Sequence, residues 1–250
     1  MTKVVLAACL LMACSMAVPL AMAKDPTSPP LPKGARVGIV NMMDAEVTHF
    51  HTSKVLAQSF FKTQLVNWQV DSMLSDAVSQ RLTQLGLVPV GIGASDALMR
   101  NRDEFFVNNS VAKGLPREAS REFAQFAASE HLDALIVLAP GLNNSSHAGS
   151  AVRHALPDYL RGWGFVTGEA SEKPSLFSMT QLLLIGVTPE GATLRAREWG
   201  GAYTEDWADF TPPADLKQIP PEQLDKLQPL FARILGRQAS RLMDWVSVAP

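Results

Sequence analysis

Two histidines two residues apart, His49 and His51, are the pair whose type and spacing most directly suggest chemistry. In a β-strand, residues i and i+2 project from one face, so both imidazoles can reach a single metal ion. Zinc or copper suits such nitrogen donors, with Asp44 and Glu46 close in sequence and His147 or His154 as donors from elsewhere. The plainer reading is that His49 and His51 meet water on the exposed face of a hairpin. Ser145, Ser146 and Ser150 around His147 raise a hydrolase, but HAGSA is not a G-x-S-x-G elbow and no strand-turn-helix frame surrounds it. Arg153, His154, Asp158, Tyr159, Arg161 and Trp163 form a candidate partner-contact surface, because Arg and aromatic side chains are enriched at interfaces. The competing reading packs Leu156, Leu160 and Trp163 into the core from a helix.

Other constellations carry less. Asp103 with Glu104, and Glu205 with Asp206, are adjacent carboxylates expected in solvated loops. Gly91-Ile92-Gly93 is a fragment of a dinucleotide-binding fingerprint and no more. Arg233, Arg237 and Arg241 recur every fourth residue and so line one flank of a helix, where water is their expected partner. No catalytic residue is assigned.

Elements that must position these residues follow from hydrophobic patterning. Ala134–Ala139 within LDALIVLAP is apolar without a break, which suits a strand covered on both faces. Upstream, Ala119, Phe123, Phe126 and Ala127 fall on one stripe of a helix whose first turn suits Pro116. Asp71–Leu85 reads as a helix capped by Asp71, buried through Leu74, Val78, Leu82 and Leu85, and stopped by Gly86. Residues 35–43 are the first strand, and 47–52 pair with it as a hairpin turning at 44–46. Residues 87–92 form a short strand that Pro89 pushes to an edge. Ser178–Val187 and Ala192–Trp199 make a β-hairpin, and a helical region divided by Pro229 closes the chain. Between them, 141–177 reads as a long loop-rich insertion.

The ends and the bulk composition bound the class. Lys3, the apolar stretch to Leu20 and Ala21-Met22-Ala23 make residues 1–23 a secretory signal peptide. A disordered Pro-rich leader is expected over 24–34, and one domain over 35–250. Both cysteines, Cys9 and Cys14, lie in the signal peptide, so the mature chain would hold no disulfide. Leu11-Met12-Ala13-Cys14 also has lipobox form, which would tether the chain to a membrane through acylated Cys14. A net charge of −2 without a basic cluster argues against nucleic acid as a partner.

The run ARVGIVNMM, DSMLSDAVSQRLTQLGLVPVGI, REFAQFAASEHLDALIVLAPG, SMTQLLLIGVTPEGATLRAREW resembles the small α/β domain of bacterial envelope proteins. Examples are the TolB amino-terminal domain and the curli-secretion channel lipoprotein. Shared features are a helix ending in a Gly turn before an edge strand, an acidic residue and Ala (Asp133-Ala134) opening the apolar strand, and a polar hairpin turn at Pro189-Glu190-Gly191. TolB's propeller repeats and the channel's spanning hairpins have no counterpart here. The resemblance implies an envelope setting, a role in contacts or assembly, and no catalytic residue.

The expected fold is therefore α/β: a mixed sheet with helices packed on it, a long loop insertion and a C-terminal helix. The expected function is that of a non-catalytic periplasmic or secreted protein acting through an envelope protein partner. A periplasmic metal- or small-ligand-binding protein using His49 and His51 is the alternative, and a hydrolase the third. Oligomeric state is not fixed by the sequence.

Overall fold

A computed structural model describes residues 29–108, 114–141, 160–168, 173–200 and 206–249. The signal peptide, both cysteines, and the site candidates His147, Arg153, His154 and Tyr159 lie outside the described residues.

The strands are β1 (Arg36–Asn41), β2 (Glu46–Thr52), β3 (Phe60–Leu65), β4 (Val88–Gly93), β5 (Ala134–Pro140), β6 (Gly162–Gly168), β7 (Ser175–Thr188) and β8 (Gly191–Trp199). The α-helices are α1 (Val70–Gln84), α2 (Asp96–Asp103), α3 (Arg117–Ser129), α4 (Pro221–Asp225) and α5 (Gln228–Met243). Among the described residues all eight strands join one mixed sheet in the order β3-β2-β6-β7-β5-β1-β4, with β8 also on β7.

That order is easiest to picture as two half-sheets sharing β7. Residues Thr180–Gly186 of β7 pair with β5, and Ser175–Met179 pair with β6. Ser175 also bridges Asp206, beyond the end of β8, so β6 and β8 take opposite edges and β5 and β6 lie end to end. Parallel to them run β1, beside β5, and β2, beside β6. The expected β1–β2 hairpin is therefore absent. The chain continues in nearly the same direction through 42–45, and β2 takes β3 as its antiparallel partner instead. Polarity alone suggests a turn at Asp44, but the parallel edge offered by β6 pairs Thr48 with Gly164, far along the chain, and leaves no local mark.

The half-sheet built on β5 and β1 is layered as its alternation demands. Ala134, Ile136 and Leu138 of β5 join the core beneath α1 and α5, while Leu135, Val137 and Ala139 face Phe123, Phe126 and Ala127 of α3. A strand buried on both faces must be apolar at every position, and all seven residues of β5 are buried. Its entry is fixed by Asp133, whose Oδ2 accepts the Arg36 backbone N–H at 2.8 Å. Met73, Leu74, Val78 and Leu82 bury the stripe of α1, and Gly86 ends it at φ +76°. Asp71 sits inside the first turn and makes no capping bond; Gln69 occupies the cap position.

Several expectations need correction. Leu31 is buried and paired with Ser247 and Ala249, so the Pro-rich leader is docked from there onward rather than disordered to residue 34. Within 141–177, strand β6 and the first residues of β7 are regular sheet, so the excursion is shorter than its composition implies. The helix α2, followed by a π-turn at Glu104–Asn108, also fills a stretch that the patterning left blank.

Gly164 shows how tightly the half-sheet of β2 and β6 is built. It lies in β6 between Thr48 of β2 and Phe177 of β7, and a Cβ there would collide with the Thr48 carbonyl oxygen and the Phe177 ring. Backbone cannot yield as a flexible side-chain tip can. Gly164→Ala should lower unfolding free energy by about 1–3 kcal/mol or more, read as a shifted urea midpoint, whereas Gly236→Ala, with open space around it, should be neutral or stabilising.

Candidate functional site

The predicted pair, His49 and His51, does share one face of β2, and it is an inner face. Thr167 of β6 stands between the rings. Its Oγ1 is 2.7 Å from His49 Nε2 and 2.8 Å from His51 Nδ1. A hydroxyl has a single proton, so it donates to one imidazole and accepts an N–H from the other. Phe165 stacks on His49 at 4.4 Å, Phe60 stacks on His51 at 5.1 Å, and Trp207 closes over Phe165.

His49 is fully buried, and burial pushes its pKa from 6.5 down to about 4. His51 and the Lys62 ammonium act in the same direction, while the Leu216 backbone opposes them. The ring is therefore neutral at ordinary pH. Among the described residues, no group of three His, Cys, Asp or Glu side chains converges to hold a metal ion. Both imidazoles point at the Thr167 hydroxyl, which is itself buried. A hydroxyl beside a neutral imidazole has the parts of an activated nucleophile, here boxed by the rings of Phe60, Phe165 and Trp207.

The cleft lies on the opposite face, where β1 gives way to β2 and β5 to β6. It measures about 290 Å³ and is lined by Asp44, Glu46, Thr48, Thr63 and Arg161, with Phe61 and Trp163 supplying apolar wall. The C-terminal ends of the parallel strands β1 and β5 open here, the usual position for a site in an α/β sheet. Two of its charged groups, Asp44 and Arg161, are held by ion pairs to α2. Arg102 donates to both carboxylate oxygens of Asp44 at 2.8 Å and to the Met42 carbonyl at 2.9 Å. Arg161 donates to Asp103. Burial would raise the Asp103 carboxyl, but Arg161 and Arg102 outweigh it and hold it below the usual carboxylate range.

Of the six contact candidates, Arg161 and Trp163 are among the described residues. Arg161 is at the cleft rim, and Trp163 is buried against Phe231 at 5.4 Å. Trp163 thus packs the core and offers a partner nothing but its edge within the cleft. Sequence reading missed Arg102, whose buried guanidinium fixes the β1–β2 junction, and Thr167, which completes the histidine cluster. Neither has a neighbour in sequence that marks it: Asp44 is 58 residues from Arg102, and His49 is 118 from Thr167.

Beyond β2, the edge of the sheet has its own character. β3 is last in the strand order, and its side chains alternate half-buried and exposed. Phe61 is 48% exposed and Leu65 is 78% exposed on one face, and Val55, leading into the strand, is 54% exposed.

No known protein family matches the chain, and no curated protein matches it. Among solved structures, a hypothetical protein from Chlamydia trachomatis is similar at 10% identity with a TM-score of 0.41, over 85% of this chain and 98% of that one. A likeness at that level carries neither fold nor function across. Among the described residues, no helix is long and apolar enough to cross a membrane.

The buried imidazole makes stability depend on pH in a definite direction. Below pH 6.5 the unfolded chain takes a proton on His49 that the folded chain refuses until about pH 4, so stability falls as pH drops through that window. The full effect is about 3 kcal/mol. Melting temperatures between pH 7 and 4 should fall more steeply for the wild type than for His49→Phe, and equal slopes would show that this ring is not the cause.

Proposed function

We propose that the chain is a non-catalytic cell-envelope protein that works through contacts with other proteins, made at the β3 edge and the adjoining cleft. One observation carries the reading. Of the four large apolar side chains most exposed among the described residues, Val55, Phe61 and Leu65 gather on β3 and its approach. An edge strand normally carries charges that discourage pairing, and β3 has only Lys62. Apolar surface collected at one place on a sheet edge is what a docking surface requires. The envelope setting rests on the leader: Lys3, the apolar stretch and Ala21-Met22-Ala23.

Ligand binding is a second reading, favoured by the cleft, whose volume is near the lower end for small-molecule sites. Zinc or copper on His49 and His51 keeps a direct test. Metal at one equivalent in the purified protein, lost on His49→Ala with His51→Ala, would replace the contact reading.

The contact reading is tested in the living cell by a photoreactive residue placed in turn at Leu65, Arg161 and Val88. Discrete protein adducts are expected from Leu65 and Arg161 and not from Val88, on the far edge strand β4. Identical adducts from all three positions, or none from the first two, would remove β3 and the cleft as the contact surface.

A further inference from the structure

We propose that β3 is a self-complementary edge: a second copy of this chain adds its own β3, antiparallel, about a two-fold axis through Thr63. This rests on the reading of β3 as a contact surface and names the partner.

The backbone sets the first condition. The Val66 N–H bonds to the Ala45 carbonyl at 2.9 Å, in register with the pairs from Glu46–Leu65 to His51–Phe60. In an antiparallel ladder the hydrogen-bonding direction alternates, so Phe60, Lys62 and Gln64 turn their backbone groups toward β2. Phe61, Thr63 and Leu65 turn theirs away from it. Those same three residues carry the exposed side chains. A strand added at this edge therefore bonds to the residues whose side chains are also outside.

Side chains then select the register. Two-fold pairing keeps the exposed side chains on one face when the axis passes through a residue, which leaves four central choices. Through Lys62, it sets two ammonium groups opposite each other. Through Phe61, it leaves Leu65 opposite residue 57, outside the partner strand. Through Gln64, it leaves Phe61 opposite residue 67, again outside. Through Thr63, Phe61 meets the second copy's Leu65, Leu65 meets its Phe61, and Thr63 meets Thr63. Lys62 then faces neutral Gln64. Aromatic–aliphatic and Thr–Thr pairs are favourable cross-strand neighbours, and like charges directly opposite are not. The two most exposed apolar groups of β3 thus cover each other in the one register that also separates the lysines. Lys62 is held out of the way by its bond to the Lys217 carbonyl on the inner face.

Single cysteines read this register directly. In full-length chain with Cys9→Ser and Cys14→Ser, Thr63→Cys places two thiols on a hydrogen-bonded pair, whose Cα separation of about 5.5 Å suits a disulfide. Mild oxidation should cross-link Thr63→Cys as a dimer, with little from Lys62→Cys. Light scattering should give about twice the chain mass for the parent, with a dissociation constant raised at least tenfold by Leu65→Lys, whose exposed site leaves the circular dichroism unchanged. Thr63→Pro, which removes an N–H turned away from β2, should act likewise. A monomer at every concentration, stronger cross-linking of Lys62→Cys than of Thr63→Cys, or a dimer indifferent to both Leu65→Lys and Thr63→Pro would overturn the proposal. If the chain is monomeric while photo-adducts to other proteins persist at Leu65, only the second copy fails as partner. Loss of both would remove the contact reading as well.

Discussion

Everything in this fold hangs on the need of β7 for backbone partners along its whole buried length. Its residues from Ser175 to Gly186 are all buried, so no unpaired N–H or carbonyl there can turn to water. One edge is served by β5 and β6 in succession, and the other by β8 and Asp206. Even its polar side chains are tied inside. Gln181 donates to the carbonyls of Phe106 and Pro140, joining the π-turn and the end of β5 in one bond set. Thr180 donates to Gln238 of α5. A buried amide left alone would cost more than these bonds contribute, so the surrounding elements have to arrive where they do.

Legibility in the sequence tracks how local each constraint is. The apolar run of β5, the stripe and glycine stop of α1, the edge position of β4 with Pro89, and the β7–β8 hairpin are each specified by neighbours within a few residues, and each is present. The β1–β2 hairpin failed because the true partner of β2 is β6. Residues 162–168 failed to look like sheet because three of the seven are glycine, a composition that reads as loop. Those glycines serve close packing: Gly164 leaves space for the Phe177 ring, and Gly162 and Gly168 take positive φ at the strand ends. Helix α2 escaped because polar and charged residues dominate it, although Ser95 caps it at the Leu98 N–H.

The candidate site was half legible for the same reason. That His49 and His51 share a face follows from strand periodicity alone, and the structure keeps it. Which face they share depends on β6 and the 207–219 segment, and that reversed the expectation of water. Thr167 meets one nitrogen of each ring, so the pair reads as a polar knot among Phe60, Phe165 and Trp207, with His49 Nδ1 left buried beside it. On the outer side, Asp44 and Arg102 lock the junction where the two half-sheets meet, and Arg161 adds a charge at the same place. The surface offered to the outside is thus a fixed rim beside an apolar edge, built on rigid strands rather than on loops.

The end-to-end arrangement of β5 and β6 has one further effect. The chain leaves the sheet at Gly141, whose N–H bonds to the Met179 carbonyl, and re-enters at Gly162, which pairs with the same Met179. Departure and return share one anchor, so the strands on either side take their registry from β7 itself. The two ends of the excursion are thus pinned side by side on one residue of β7.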